Sequence, residues 1–288
     1  MTFRTRFAPS PTGPLHLGHA YSAWLGFERA RAQGGTFLLR IEDIDQSRAR
    51  DAWETQIYDD LRWLGLTWPE PVIRQSDRLP VYNAALDTLW DQGLLYVCTC
   101  NRRDIMEAAS APQDGIAATG PDGIVYPGTC RPSAPPIGPR PKDASLRLNL
   151  REAAKHVQHV TFEETGTGPR GETGRVTKTL QNMITDVGDV VLARKNMGTS
   201  YHLSVVVDDA EQQISEVVRG QDLFDATEIH VLLQNLLGLA TPRFHHHRLI
   251  RDQAGKRLAK RDDARALATY RSTGDTAENI LRWLGFEI

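Results

Sequence analysis

In the first part of the chain, the spacing of apolar residues switches between the period of a strand and the period of a helix. This pattern predicts alternating strands and helices. Residues 2–7 alternate as a strand does, and three prolines and a glycine in the next seven positions end it. Over 16–33 apolar residues recur at helical spacing until two glycines end the helix. A mostly apolar strand over 36–42 and a helix over 49–64 follow. This order predicts a parallel α/β sheet.

The second part of the chain carries the same two patterns around a long interruption. A helix is predicted over 80–92. Eight of the sixteen prolines and five glycines then fall between 112 and 141, which predicts loop rather than sheet or helix. Residues 189–194 and 201–209 are short apolar runs and are predicted as buried strands. A last helix is predicted over 277–284.

These patterns predict an α/β fold class and divide the chain into three parts. Residues 1–95 and 181–240 make up a split α/β domain, which is interrupted by an inserted module over 96–180. Residues 241–288 form a loop and a short α-helical C-terminal segment. No internal repeat is found.

Composition is typical of a soluble globular protein and excludes several classes. The chain is 40% hydrophobic and 24% charged, and no run approaches the roughly 20 apolar residues that span a bilayer. The first residues lack an apolar signal core, and an odd count of three cysteines argues against a disulfide framework. We expect a cytoplasmic protein without a membrane partner, and a monomer because no long apolar surface helix is predicted.

Charge is distributed unevenly, although the net charge is only -2. Residues 242–261 contain seven lysines or arginines, three successive histidines and a single acid, Asp252. Such a segment predicts a local positive field of the kind that a phosphate site requires. A solvated basic face is the alternative.

The turn before the first predicted helix carries the first candidate chemistry. A helix N-terminus presents N–H groups and the positive end of the helix dipole, which suit a triphosphate. His16 and His19 lie on one face of the first turn, placed to donate hydrogen bonds to phosphate oxygens, and Gly18 lets a nucleotide ring approach the backbone. Taken alone, such a pair of histidines is more typical of capping or core residues.

Residues 7–19 extend this motif into a longer block, FAPSPTGPLHLGH. It closely resembles the signature of class I aminoacyl-tRNA synthetases in the form used by the glutamyl/glutaminyl branch. Blocks at 40–45, 201–223 and 255–261 follow in that branch's order, and the last stands where the second ATP motif, KMSKS, belongs. The resemblance implies a Rossmann-type parallel sheet that binds ATP and an amino acid, and an insertion like the module that holds the tRNA acceptor end.

The resemblance also implies a glutamate pocket, and the residue types suit that substrate. The resemblance implies Arg6 and Arg219 for the substrate carboxylate, which a guanidinium fork binds in bidentate fashion. It implies Glu42 for the ammonium group, which a carboxylate binds. Tyr201 supplies a hydroxyl. Alternatively, Arg6 is a strand-edge charge and Glu42 an ion-pair partner within the sheet. The full set implied for glutamate is Arg6, Phe7, Ala8, Pro9, Ser10, Glu42, Tyr201 and Arg219.

For ATP the resemblance implies a second set of residues, which is His16, Gly18, His19 and Lys260. Of these, His16, His19 and Lys260 are implied as catalytic. Aligned with the KMSKS motif, Arg257 stands at the first lysine and Ala259 at the serine. Lys260 keeps the ammonium group expected to stabilise the phosphates as the α-phosphorus is attacked. Mg²⁺ is expected with ATP.

The insertion contains a candidate metal site. Its members are the three cysteines of the chain, Cys98, Cys100 and Cys130. Three thiolates supply most of a tetrahedral zinc shell, and a Pro/Gly-rich loop without an evident core needs such a staple. The fourth donor is open from the residues alone; the resemblance implies Tyr126, and His156 or His159 is the conventional alternative. We expect one structural zinc ion per chain.

The short stretch after the KMSKS-like block narrows the resemblance. Only 27 residues follow Arg261, so no anticodon-binding domain is expected. The chain therefore resembles most closely the glutamyl-Q tRNA(Asp) synthetases, a truncated family with zinc in its insertion. The resemblance implies ATP-dependent, tRNA-independent activation of L-glutamate, then its transfer to the queuosine at the anticodon wobble position of tRNA(Asp). The implied partners are ATP, L-glutamate and tRNA(Asp) bearing queuosine.

Two other functions stay open from the sequence. A minimal glutamyl-tRNA synthetase would charge a tRNA 3′ end. A catalytically idle RNA-binding relative would keep the fold, and the departures from KMSKS at Arg257 and Ala259 favour it.

Overall fold

The computed structural model describes residues 2–110, 119–251 and 265–288. Within them the strands are β1 (Arg4–Phe7), β2 (Thr36–Ile41), β3 (Ile73–Arg74), β4 (Leu95–Val97), β5 (Thr119–Gly120), β6 (Gly123–Ile124), β7 (Leu146–Leu148), β8 (His159–Glu164), β9 (Gly174–Thr179), β10 (Val191–Ala193), β11 (Glu216–Gly220) and β12 (Arg243–His247). The helices are α1 (Leu17–Ala32), α2 (Asp51–Trp63), α3 (Leu79–Asp91), α4 (Arg102–Ser110), α5 (Leu150–Ala153), α6 (Leu180–Asp186), α7 (Tyr201–Glu211), α8 (Thr227–Leu237), α9 (Leu267–Ser272) and α10 (Ala277–Trp283). None of these helices is long and apolar enough to cross a membrane.

The predicted parallel sheet is confirmed, and its strand order places a ligand site. β1, β2 and β3 are parallel neighbours, as are β11, β12 and β8. The two groups meet at Ser215, whose N–H donates to the Arg4 carbonyl at 3.0 Å and whose Oγ accepts from the Arg4 N–H at 2.8 Å. Strands are therefore added outward in the order β1, β2, β3 on one side of this junction and in the order β11, β12, β8 on the other. In open α/β sheets ligands bind beyond the carboxyl ends of the strands at this switch point.

The first helix is held close to the sheet, which places its N-terminus beside the carboxyl end of β1. The Thr5 hydroxyl of β1 donates a hydrogen bond to the Gly26 carbonyl at 2.7 Å. Small side chains on this face let the helix approach the strands closely. The buried small residues of α1 are Ala20, Ala23, Gly26 and Ala30.

The segment 201–209, predicted as a strand, is an α-helix, so that prediction was wrong. Every residue from His202 to Asp209 is buried. Because α7 is covered on all sides, its sequence carries no apolar stripe of helical period, and a short apolar run resembles a buried strand. The helix brings two carboxylates, Asp208 and Asp209, underneath the ends of β1 and β2.

Among the described residues, the segment predicted as an inserted module contains the two-stranded β5–β6 sheet and contributes to two larger sheets. β7 pairs antiparallel with β4 and β10, and β10 lies within the strand predicted over 189–194. β8 and β9 instead extend the main sheet, because Glu164 of β8 pairs with Phe244 of β12. The part boundaries at 96 and 180 stay a prediction.

Asp60 on α2 gives the fold a dependence on pH. Its side chain is fully buried, and Arg271 Nη2 of α9 lies 3.5 Å from its Oδ1. Burial raises the pKa of Asp60 from 3.8 to about 6. The folded state therefore keeps this proton where the unfolded state has lost it, so the free energy of unfolding falls as the pH rises through about 6.

Replacing Asp60 by asparagine is expected to raise the melting temperature more at about pH 8 than at about pH 5. The amide does not ionise, and the two-unit pKa difference corresponds to at most about 3 kcal/mol. Thermal unfolding of both proteins at the two pH values measures the effect. An equal change at both values would contradict the role of the buried charge.

Candidate functional site

A cavity of about 300 Å³ opens where β1 and β11 end and α1 begins, at the switch point of the sheet. Ser22, Asp222 and His247 contribute polar groups to its wall beyond those predicted from the sequence. The residues predicted for glutamate and ATP that line it are Arg6, Phe7, Ala8, His16, Gly18, His19, Glu42, Tyr201 and Arg219. The structure thus brings together residues that lie more than 200 positions apart in the chain.

Pro9 and Ser10 lie beside this cavity rather than in its wall. Pro9 is buried, and its carbonyl accepts the Glu42 N–H at 3.0 Å, which fixes the backbone that carries the Glu42 carboxylate. Ser10 lines a neighbouring cavity of about 490 Å³, which shares Glu42 and Tyr201 with the first. Lys260, like its neighbours in the KMSKS-like block, lies outside the described residues.

His16 and His19 cap the N-terminus of α1 with their own rings. His16 Nδ1 accepts the Gly18 N–H at 3.1 Å, and His19 Nδ1 accepts the His16 N–H at 3.1 Å. A ring nitrogen that accepts a hydrogen bond carries no proton, so the proton of each neutral ring is on Nε2. The capping alternative and the phosphate-binding prediction are therefore compatible, because they use different nitrogens.

Arg6 is held at the end of β1 by a bidentate ion pair with Asp209, at 3.0 and 3.1 Å. Arg40 donates to the same carboxylate at 2.8 Å and to Glu42 at 3.2 Å. Burial opposes ionisation of Asp209, but Arg6 and Arg40 outweigh it and hold the pKa of Asp209 below its ordinary value. The Arg6 charge is thus matched within the protein, and Glu42 has the ion-pair partner that the alternative interpretation expected.

Arg219 is a buried cation with uncharged hydrogen-bond partners. Its Nε donates to His246 Nε2 at 3.1 Å, its Nη1 to His230 Nδ1 at 3.1 Å and its Nη2 to Thr227 Oγ1 at 2.7 Å. No carboxylate of the described residues forms an ion pair with it, and burial lowers the pKa of Arg219. A buried charge of this kind is costly unless an anion joins it. The site is therefore suited to a ligand carboxylate.

The three histidines of β12 do not add to a positive field, contrary to the prediction. Burial lowers the pKa of His245, His246 and His247, that of His246 to about 4, so the rings are neutral at pH 7. His246 instead connects Arg219 to a carboxylate, because its Nδ1 lies 2.5 Å from Glu164 Oε2. Sequence analysis missed this group because its members come from separate elements without a shared local pattern.

The three cysteines come together in the insertion, with their sulfur atoms within 4.8 Å of one another. The Tyr126 hydroxyl lies 3.5 Å from Cys98 Sγ and 3.4 Å from Cys100 Sγ, and it accepts the Cys130 N–H at 2.8 Å. Zn–S bonds of about 2.3 Å in a tetrahedron require sulfur atoms about 3.8 Å apart, so this group has the size of a metal shell. No histidine of the described residues belongs to it.

The surroundings of the cysteine group favour a thiolate at Cys130, whereas burial raises the pKa of Cys100. The Arg147 guanidinium lies 3.8 Å from the centre of the Tyr126 ring and donates to Cys98 Sγ at 3.3 Å. Burial opposes ionisation of Cys130, but hydrogen bonds from Tyr126 and Thr99 outweigh it and lower the pKa of Cys130 to about 6. A nearby cation and hydrogen-bond donors are what a shell of anionic sulfur ligands requires.

Known proteins similar to this chain cover nearly all of it. The family described as tRNA synthetases class I (E and Q), catalytic domain, matches residues 2–125 and 145–286. A Rhodobacter capsulatus protein named glutamyl-Q tRNA(Asp) synthetase is 61% identical over 282 residues, which are 98% of this chain and 99% of that protein. A Deinococcus radiodurans protein of the same name is 39% identical over 100% of this chain and 92% of its own length.

Solved structures give the same fold. A glutamate tRNA ligase from Elizabethkingia meningosepticum, solved in complex with its amino acid, has a TM-score of 0.70 and 25% identity over 91% of this chain. A glutamate-tRNA synthetase from Elizabethkingia anophelis has a TM-score of 0.71 and 24% identity over 91% of this chain. The chain spans about half the length of these two proteins, 52% and 53%. Its fold is the class I synthetase α/β fold with a parallel sheet.

Proposed function

The chain belongs to the class I tRNA synthetases for glutamate and glutamine and is a ligase of that family, and on this premise we propose a two-step reaction. ATP and L-glutamate first form glutamyl-adenylate and pyrophosphate without tRNA. The glutamyl group is then transferred to the queuosine at the anticodon wobble position of tRNA(Asp). The names of the relatives support the acceptor, and the cavity supports the amino acid.

The observation that carries the choice of glutamate is the difference between the two arginines of the cavity. Arg6 is neutralised by Asp209, whereas Arg219 has neutral hydrogen-bond partners. The γ-carboxylate of glutamate would supply the missing negative charge. Glutamine would leave the cation buried and unpaired, which costs more than the loss of one neutral hydrogen bond. Glu42 lines the same cavity, and its carboxylate suits the substrate ammonium group.

Adenylation requires the protein to position reactants and to stabilise charge on phosphate. The α-carboxylate of glutamate attacks the α-phosphorus of ATP, and pyrophosphate leaves, so the protein forms no covalent bond. The Nε2–H groups of His16 and His19 and the N-terminus of α1 suit the phosphate oxygens. Lys260 is proposed to stabilise the same charge, and Mg²⁺ to accompany ATP.

The neighbouring cavity offers room for the acceptor in the second step. Its wall includes Arg48, Asp122 and Arg194, and it meets the amino-acid cavity at Glu42 and Tyr201. An adenylate bound in the first cavity would therefore be reached from the second. Polar groups of both charges suit a nucleoside with hydroxyl groups and an adjoining phosphate backbone.

Amino-acid-dependent exchange of labelled pyrophosphate into ATP, without tRNA, tests the first step. Exchange is expected with glutamate and not with glutamine. Exchange only in the presence of tRNA would contradict tRNA-independent activation. Absence of exchange with every amino acid would favour the idle RNA-binding relative instead.

We also propose that the cysteine group holds one structural zinc ion with Tyr126 as the fourth ligand. The thiol spacing, the position of the Tyr126 hydroxyl and the Arg147 guanidinium support the fit. Zinc would contribute folding energy to a module whose loop has little core of its own. It has no part in the chemistry at the amino-acid cavity.

Metal analysis of freshly purified, unchelated protein is expected to find one zinc ion per chain. Replacing Cys130 by serine should remove most of it and lower the melting temperature, because structural zinc contributes directly to folding. Replacing Tyr126 by phenylalanine should make zinc easier to remove with a chelator. Tyr96→Phe is the matched control. Tyr96 is also a buried tyrosine beside the cysteine group, but its hydroxyl donates to Asp189 instead of contacting the thiols. Protein without zinc would contradict the proposal.

A further inference from the structure

A chain of buried hydrogen bonds leads from the amino-acid cavity to the insertion. Arg219 Nη1, at the end of β11, lies 3.1 Å from His230 Nδ1 of α8. His230 Nε2 lies 3.1 Å from His202 Nδ1 of α7. His202 Nε2 lies 3.3 Å from Asp122 Oδ1, in the turn between β5 and β6. The turn between β5 and β6 is thus joined to three elements that lie about 80 or more positions further along the chain.

The direction of every hydrogen bond in this chain is determined. A guanidinium can only donate, so His230 Nδ1 accepts and its proton is on Nε2. His230 then donates to His202 Nδ1, and His202 Nε2–H donates to the Asp122 carboxylate. Burial, followed by the Arg219 charge, lowers the pKa of His230 well below its ordinary value, which agrees with a neutral ring.

A second arm holds the other side of the same guanidinium. Arg219 Nε donates to His246 Nε2, so the His246 proton is on Nδ1 and is donated to Glu164. Glu164 is itself fixed by the N–H groups of His246 and Gly166, at 2.9 and 2.8 Å. Both arms end in a carboxylate, which is separated from Arg219 by two imidazoles in the first arm and by one in the second.

This separation has a consequence for substrate binding. A carboxylate in direct contact with Arg219 would occupy the fork that the substrate needs, as Asp209 occupies that of Arg6. Neutral imidazoles orient the guanidinium through strong hydrogen bonds and leave its charge to be matched by the ligand.

We infer that His230 and His202 are positioning residues that orient Arg219 for the substrate carboxylate, and that Asp122 makes this orientation depend on the docking of the β5–β6 hairpin. The inference rests on the proposed function, because it takes glutamate as the ligand of Arg219. It adds a link between the amino-acid site and the insertion: when the hairpin is in place, the site binds glutamate tightly.

Kinetics of glutamate-dependent pyrophosphate exchange test the inference in full-length protein. His230→Phe removes the acceptor for Arg219. It is expected to raise KM for glutamate roughly 10- to 100-fold, because this is the usual effect of losing a hydrogen bond to a charged group. KM for ATP should stay within about twofold. His230→Asn should recover much of the loss, because its amide oxygen can stand near the position of Nδ1.

Substitution of Asp122 keeps the test independent of core folding, since this residue is part-exposed in a turn. Asp122→Ala is expected to raise KM for glutamate about 2- to 10-fold. The effect is smaller because Asp122 acts on Arg219 only through the two histidines. Asp143→Ala, at an exposed carboxylate elsewhere in the insertion, is the matched control and should leave KM unchanged.

The outcomes separate this inference from the proposed function. Wild-type protein that shows no exchange would overturn the proposed function and the inference with it. Wild-type exchange with KM for glutamate unchanged in His230→Phe and Asp122→Ala would overturn the inference alone. Equal losses in His230→Phe and His230→Asn, with KM for ATP raised as well, would indicate a merely structural role and would also overturn it.

Discussion

Replacing Arg219 by leucine is expected to lower kcat/KM for glutamate-dependent exchange roughly 30- to 4000-fold. Removing one partner of a buried charge pair costs about 2–5 kcal/mol, and about 1.4 kcal/mol corresponds to a factor of ten. The loss should be large because Arg219 is the cavity arginine whose charge the described residues leave unmatched by direct contact. Exchange kinetics over a range of glutamate concentrations measure it.

Two further variants make this prediction specific. Arg219→Lys keeps the charge but not the planar fork, so it should recover only part of the activity. Arg31→Ala removes an exposed arginine that pairs with Glu28, and it should leave exchange unchanged. If Arg219→Leu activated glutamate as well as the wild type does, the assignment of the substrate carboxylate to Arg219 would be wrong.

Replacing His19 by asparagine is expected to lower the exchange rate about 100- to 1000-fold without unfolding the protein. The amide oxygen of asparagine can take the place of Nδ1 and still accept the His16 N–H, so the helix cap is kept. The Nε2–H donor is lost, and loss of one donor to developing charge costs about that factor in rate. Pyrophosphate exchange and thermal unfolding together measure the two effects.

The comparison with His19→Ala separates the two roles of this ring. Alanine removes both the cap and the donor, so its melting temperature should fall below that of His19→Asn while exchange falls as far. Retention of full activity in His19→Asn would show that the ring acts only as a cap.

Residues within short contiguous blocks were predictable from the sequence. Arg6, His16 and His19 stand close together around one turn, and Glu42 follows the next strand. Local pattern and family resemblance therefore sufficed to predict that they line one cavity. The same holds for α2, where Ile57 and Leu61 recur at helical spacing and face one core.

Contacts between distant segments were not predictable in this way. α7 is buried on all sides and therefore resembled a strand. The pairing of Arg6 with Asp209 spans 203 positions, so it is not visible in either segment alone. His230 and His246 carry no motif of their own, and their neutral state follows from burial that only the folded chain creates.

The most direct test of the proposed reaction is to locate the glutamyl ester on RNA. Labelled glutamate, ATP and the protein are incubated with tRNA(Asp) that bears or lacks queuosine, and with tRNA(Glu), and the charged RNA is then cut into fragments. We expect label only on queuosine-bearing tRNA(Asp), in the anticodon-loop fragment. Label at the 3′ end of tRNA(Glu) would contradict it and indicate a minimal glutamyl-tRNA synthetase.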